Sequence, residues 1–223
     1  DFLEQQEDFE TAVHDYLKKL LREHERIIFN GNGYGKEWVE EAKRRGLPNH
    51  PSMVDAISAL TTKKSIDLFS SFGIYTETEL RSRELVEYEH YSKVISIEGR
   101  AMVNISGKQI IPAAIRFVQN LAESLNAVKA ASPKASTYAQ EKLLNRASQY
   151  LEDMEKAREK LLQHLEEAAE VLEEKEKAFF FHKVITKDMA ELREPADLLE
   201  TIMDKSLWPF PSYGDLLYEV SEI

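Results

Sequence analysis

Between Leu144 and Leu172 the apolar residues recur at alternating steps of three and four: Leu144, Ala147, Leu151, Met154, then Leu161, Leu165, Ala168 and Leu172. Arg158 is the one polar intrusion in that series. This is the spacing of coiled-coil-like packing, in which one helical seam lies against another helix. It commits the segment from about Ser136 to the middle 170s to one long helix. Its charge-dense part, Glu152 to Lys177, is mixed in sign and reads as a solvated face opposite the seam.

The partner for that seam lies upstream. Thr76 and Glu79 form a capping-box pattern. From there a helical stripe runs through Tyr88, Tyr91, Ile95, Met102, Ile105, Ile110, Ala114, Phe117, Leu121, Leu125 and Val128 to about Ala131. Unbroken, this helix is about 80 Å long at about 1.5 Å per residue. Pro112, with Gly107 nearby, predicts a kink rather than a stop, because proline loses one hydrogen bond and crowds the carbonyl of Lys108. Ser132-Pro133-Lys134 breaks the pattern. The short connection predicts that the two long helices pair antiparallel.

Shorter helices flank this pair. An amphipathic helix is expected over residues 3–28, with Phe2, Leu3, Phe9, Val13, Tyr16, Leu17, Leu20 and Leu21 on its apolar side. Others are expected from Lys36 to Arg45, closed by Gly46, and from Thr62 or Lys63 to Phe72, closed by Gly73. A last one spans Phe179 to Asp204, with a break at Thr186 or a bend near Pro195. Arg26–Phe29 is the only strand-like run, and helix absorbs it. The fold class is all-α: an elongated helical bundle with two long antiparallel helices and shorter flanking helices. Asp1 opens the chain inside a helical pattern, and we read the sequence as a fragment of a longer polypeptide.

Composition narrows the function. The net charge of −11 disfavours nucleic acid and anionic membrane surfaces as partners. The absence of cysteine removes disulfides and thiolate metal sites and fits a cytoplasmic home. No apolar run is long enough to span a bilayer, and no signal-peptide pattern opens the chain.

The loop Asn30-Gly31-Asn32-Gly33-Tyr34-Gly35 is either a phosphate cradle or a tight turn between helices. No Gly-Lys-Ser/Thr follows it and no strand precedes it, which favours the turn, although Lys36 near a helix start could meet an anion. His24-Glu25 begins a zincin-like pattern, but Ile28 stands where a second histidine is required. Glu87-Tyr88-Glu89-His90 holds a single Glu-x-x-His, where a di-iron bundle needs two. Glu98 falls between Ile95 and Met102 and calls for a cation from Arg83, Arg100 or Arg116, most simply as a structural pair. Phe179-Phe180-Phe181-His182 is apolar all round a helix, with His182 read as a packed histidine. Trp208 and Tyr213, in the proline-rich tail, suit either interface anchors or intramolecular core.

The order of several blocks carries a resemblance. Ile28-Phe29-Asn30-Gly31-Asn32-Gly33-Tyr34, Glu37-Trp38, Glu41-Ala42 and Arg45-Gly46-Leu47-Pro48-Asn49 come first. Thr76-Glu77-Thr78-Glu79-Leu80-Arg81-Ser82-Arg83 follows, then Ile97-Glu98 with Gln109-Ile110-Ile111-Pro112-Ala113-Ala114-Ile115. Trp208-Pro209-Phe210-Pro211-Ser212-Tyr213-Gly214-Asp215-Leu216-Leu217 is the last. Together they resemble the C-terminal region of type III glutamine synthetase over nearly the whole chain, most thinly at 134–178. Gly35 departs from the small polar residue expected there.

The resemblance implies a parent enzyme that condenses glutamate and ammonia, driven by Mg-ATP or Mn-ATP, through γ-glutamyl phosphate. It also implies an upstream catalytic domain on the same polypeptide and a homo-oligomer of stacked hexameric rings. Residues 1–50 would be the helical end of the catalytic domain, and 51–223 a C-terminal helical domain. No catalytic, cofactor-binding or metal residue is carried over, so the region itself is expected to be non-catalytic, serving fold, assembly or regulation. The alternatives are a free-standing helical protein-interaction domain, and a Gly-rich loop that binds nucleotide phosphate directly.

Overall fold

A computed structural model describes residues 8–218, which are helical throughout apart from turns and connections. Two compact units are distinguished, residues 1–52 and 53–223, and each is described by itself.

In the first unit, α1 (Phe9–Glu23) starts at Asp8, whose carboxylate accepts from the Glu10 amide at 3.2 Å. It ends earlier than the apolar pattern suggested. His24 is the C-cap, a 3₁₀ turn covers Glu25–Ile27, and Ile28 is extended. Phe2 and Leu3 lie outside the described residues. α2 (Lys36–Arg44) closes in a Schellman motif: Gly46, at φ +72°, donates to Lys43 at 3.1 Å, and Leu47 donates to Ala42 at 2.9 Å.

The second unit begins with α3 (Met53–Ile57), a 3₁₀ turn at Ser58–Thr61, and α4 (Lys63–Ser71). α3 has no counterpart in the sequence reading. α4 is capped by the Thr62 hydroxyl and closed by Gly73 at φ +63°.

Three helical rods follow. The first is α5 (Glu77–Ile105), continued by a π turn at Ser106–Ile110 into α6 (Ile111–Ala131). Thr76 and Glu79 form the reciprocal capping box. The proline at 112 neither stops the rod nor leaves an α-helical gap. The π turn just before it widens the helix, with the Ile111 amide donating to Ser106 O, which relieves the conflict between the ring and the preceding turn.

The second rod is α7 (Tyr138–Ala169). It runs antiparallel to the first, as the pairings Lys129–Glu141, Gly107–Arg158 and Gly99–Leu165 show. The third is α8 (Glu174–Phe180), a π turn at Phe181–Ile185, and α9 (Thr186–Glu200). There is no break at Thr186, and the rod is continuous through Pro195. It returns antiparallel to α7 and parallel to α5, with Tyr88 facing Phe179 and Tyr91 facing His182.

The core lies between the rods. Met154, Leu161, Leu165 and Ala168 of α7 meet Ala113, Ala114 and Phe117 of α6 and Ile185, Leu192 and Leu199 of the third rod. A smaller cluster of Val54, Ile57, Tyr88 and Ala178, with Phe179 against it, seats α3. α7 ends at Ala169, so Leu172, the last heptad position, is 93 % exposed. Leu165→Ala is expected to lower the unfolding free energy by about 2–5 kcal/mol, through lost burial and a residual cavity. Leu172→Ala should change it by no more than about 0.5 kcal/mol. Urea denaturation measures both.

Candidate functional site

Glycine-rich loops hold phosphate with free backbone amides, and two of the amides in this one are engaged within the turn itself. Asn32 accepts from the Tyr34 amide through its side chain at 3.0 Å, and from the Gly35 amide through its carbonyl at 3.0 Å. None of Gly31, Gly33 and Gly35 has positive φ. Gly31 is constrained by space instead: a Cβ there would stand 2.5 Å from the Phe29 ring. That ring packs on Trp38 with centroids 4.6 Å apart. Lys36 is exposed in the first turn of α2.

The polar centre of this unit is Arg45. Its guanidinium donates to the carbonyls of Ile28 and of Arg26, the latter at 3.2 Å, and lies 6.0 Å from the Phe29 centroid. Glu41 orients it at 2.5 Å and also accepts from Arg44. This clamp fixes the chain entering the glycine turn to the end of α2. Beside it, Leu17, Leu20, Leu21, Ile27 and Ile28 line an open apolar groove of about 310 Å³.

The second unit buries one carboxylate. Asp188 of α9 is 2 % exposed. Lys160 of α7 reaches its Oδ1 at 3.0 Å, and His164 Nδ1 meets its Oδ2 at 2.5 Å. Lys160 also pairs with Glu191 at 2.6 Å. Both oxygens of Asp188 are therefore spent on bonding α7 to α9, a structural cross-link that sequence reasoning missed. The available signal was a polar residue, Asp188, on the apolar side of its helix.

The remaining candidates disperse. Glu98 does not join the apolar face, because the buried seam passes through Tyr88, Ser92, Gly99 and Ser106, roughly 100° round the helix. Gly99 lets Leu165 and Ile185 approach to within 3.3–3.6 Å of its missing Cβ. Glu98 itself is exposed, and Arg83 instead lies 4.4 Å from the Tyr75 ring centroid. His24 caps α1, and His90 is exposed. His182 packs at 3.3 Å on the Tyr91 hydroxyl, and Phe179, Phe180 and Phe181 are all half-buried or buried. The tail divides: Trp208 packs on the core, while Tyr213 is exposed. Among the described residues no three His, Cys, Asp or Glu side chains could hold one metal ion.

Comparison with known sequences assigns the chain. The glutamine synthetase C-terminal domain profile matches residues 12–129, more than half of the protein. The chain belongs to the glutamine synthetase C-terminal domain family. It is similar to the type-3 glutamine synthetase of Dictyostelium discoideum, at 38% identity over 119 residues, covering 53% of this chain and 16% of that protein. The glutamine synthetase of Butyrivibrio fibrisolvens matches at 38% over 119 residues, 53% of this chain and 17% of that protein. That of Bacteroides fragilis (strain YCH46) matches at 34% over 120 residues, 54% and 16% respectively. The chain thus spans about a sixth of the length of these relatives. The glutamine synthetase C-terminal profile covers the Arg45 clamp, the glycine turn and the first rod up to Lys129; α7, α8, α9 and the Trp208–Leu217 block lie beyond it. No described helix is long and apolar enough to cross a membrane.

Two measurements check the polar contacts. Arg44 and Arg45 hold the Glu41 carboxyl down to about 2, from 4.5. A depressed folded-state value means the contact stabilises fully above the unfolded value and is lost as pH falls from about 4.5 through about 2. Side-chain carboxyl NMR should give that midpoint for Glu41, and Arg45→Ala should raise it. Asp188→Ala should cost about 2 kcal/mol in urea unfolding, less than a fully buried ion pair because Lys160 keeps part of its hydration.

Proposed function

We propose that this chain is the non-catalytic C-terminal portion of a glutamine synthetase, acting in fold, ring assembly or regulation. The parent enzyme condenses glutamate and ammonia with ATP by way of γ-glutamyl phosphate. The observation that carries this reading is the match of residues 12–129 to the glutamine synthetase C-terminal domain profile, with similarity over 119 residues to glutamine synthetases several times longer than the chain. On this reading residues 1–50 are the helical end of the catalytic domain, and 51–223 form the C-terminal helical domain. Mg-ATP or Mn-ATP binds in the upstream part of the polypeptide. The working form is a cytoplasmic homo-oligomer.

The first unit supports the division of labour. Phe9, Leu17 and Leu21 of α1 are each more than half exposed, next to the apolar groove. Leucine exposed in this way gains about 1.5–3 kcal/mol on burial. The upstream remainder of the catalytic domain is the surface that the reading supplies for it.

A γ-glutamyl transfer assay on the isolated chain should give no product above the blank, and sustained turnover would sink the non-catalytic assignment. A graft tests the rest. The Butyrivibrio fibrisolvens enzyme with its matched region replaced by residues 12–129 should keep activity. Adding Leu17→Asp and Leu21→Asp to the graft should lower assembly or activity by about tenfold or more, since two buried leucines are lost. Full activity in that double variant would show that the α1 face meets nothing.

A further inference from the structure

A groove of about 970 Å³ opens between the first rod, at its π turn, and α7. Its size suits a small organic ligand. Three departures from regular helix packing meet on its walls. Arg158 stands at a heptad position where an apolar side chain would seal the seam. Gly107, inside the rod, weakens a helix interior. Its missing side chain leaves the Arg158 Cδ, Nε and Nη1 atoms 3.6–3.8 Å from where a Cβ would be. The third departure is the π turn itself, a feature frequent at functional sites. Local rules that fail together at one place point to function rather than to stability.

The charge is as uneven as the packing. Four cations and two carboxylates line the groove. Glu155 holds Arg158 through two hydrogen bonds, at 2.8 and 2.5 Å, and Glu152 holds Lys156. Among the described residues Arg100 and Lys108 make no ion pair. They stand one turn either side of Asn104 on the rim, a local excess of positive charge in a chain of net charge −11. Below the rim the walls are apolar: Val103 and Ile111 on one side, Leu151 and Leu162 on the other, with Ile115 at the end.

We propose that this groove binds an organic anion, a carboxylate carried on an apolar body. The carboxylate lies on Arg100 and Lys108, and the body lies along the apolar walls beside the π turn. This site is separate from glutamine synthesis and does not depend on that assignment.

Decanoate, titrated below its micelle concentration into the whole chain, is the probe. Calorimetry should show saturable binding, with amide shifts in the NMR spectrum confined to residues 100–115 and 148–162. Arg100→Glu with Lys108→Glu should weaken it by about tenfold or more, the worth of a lost charge-assisted contact. Both positions are exposed, so the fold is retained. Ile115→Asp, at another exposed position, puts a carboxylate at the apolar end and should weaken binding with the basic rim intact. Decanol should bind far more weakly than decanoate. No saturable binding, shifts elsewhere, equal binding of decanol, or unchanged affinity in the charge-reversed variant would each overturn the proposal.

Discussion

The second unit depends on the contact that Leu165 makes with two rods at once. Its methyl groups sit 3.3–3.4 Å from the position a Gly99 Cβ would take, and Ile185 stands 3.6 Å from that same position. A side chain at position 99 would require Leu165 to give way by a few tenths of an ångström. The two π-turn rods pack on each other through α5 and α8, and on the α7 seam through α6 and α9. Five α7 residues, Ala147, Met154, Leu161, Leu165 and Ala168, are fully buried in this core.

The buried serines of this arrangement are satisfied locally, whereas the buried Tyr88 hydroxyl and Trp208 indole N–H have no hydrogen-bond partner among the described residues. The hydroxyls of Ser92 and Ser106 donate to carbonyls of their own helix, at 3.0 Å and 2.7 Å, so small polar residues line the seam without needing partners across it. Asp188, by contrast, reaches across to α7. A buried carboxylate of this kind adds less to stability than to uniqueness. A slip of one turn between α7 and α9 would take it away from one of Lys160 and His164, which stand one turn apart. In the first unit the guanidinium of Arg45 plays the corresponding part by holding an extended segment that has no helix of its own.

Much of the architecture was legible. The heptads, the capping box at Thr76 and the glycine stops at 46 and 73 each act within one or two turns, so their signals are local in the chain. The same blocks that carried the family resemblance in the first half coincide with the matched span. What stayed hidden was decided by contacts distant in sequence. The large apolar residues of α5 implied a face that included Glu98, yet beyond Tyr88 the buried seam runs through Ser92, Gly99 and Ser106, small residues that hydropathy weights lightly. Leu172 kept the heptad period after the helix had ended. The glycines of the loop looked like a conformational requirement, while the structure needs one of them for room beneath Phe29. The groove beside Gly107 was visible only as an anomaly, an arginine among leucines.

The two π turns have a geometric consequence. Each inserts one residue beyond the α-helical count, about 100° of rotation. Upstream of Ser106 the seam runs through Ser92 and Gly99; downstream it runs through Ala113, Ala114 and Phe117, and the extra residue keeps both stretches facing α7. The third rod has its inserted residue at 181–185. Length and register are thus coupled in this unit. A single-residue deletion inside either turn would restore an ideal helix and turn half of the rod's apolar face out to water, whereas an inserted residue in the 132–137 connection leaves both phases untouched.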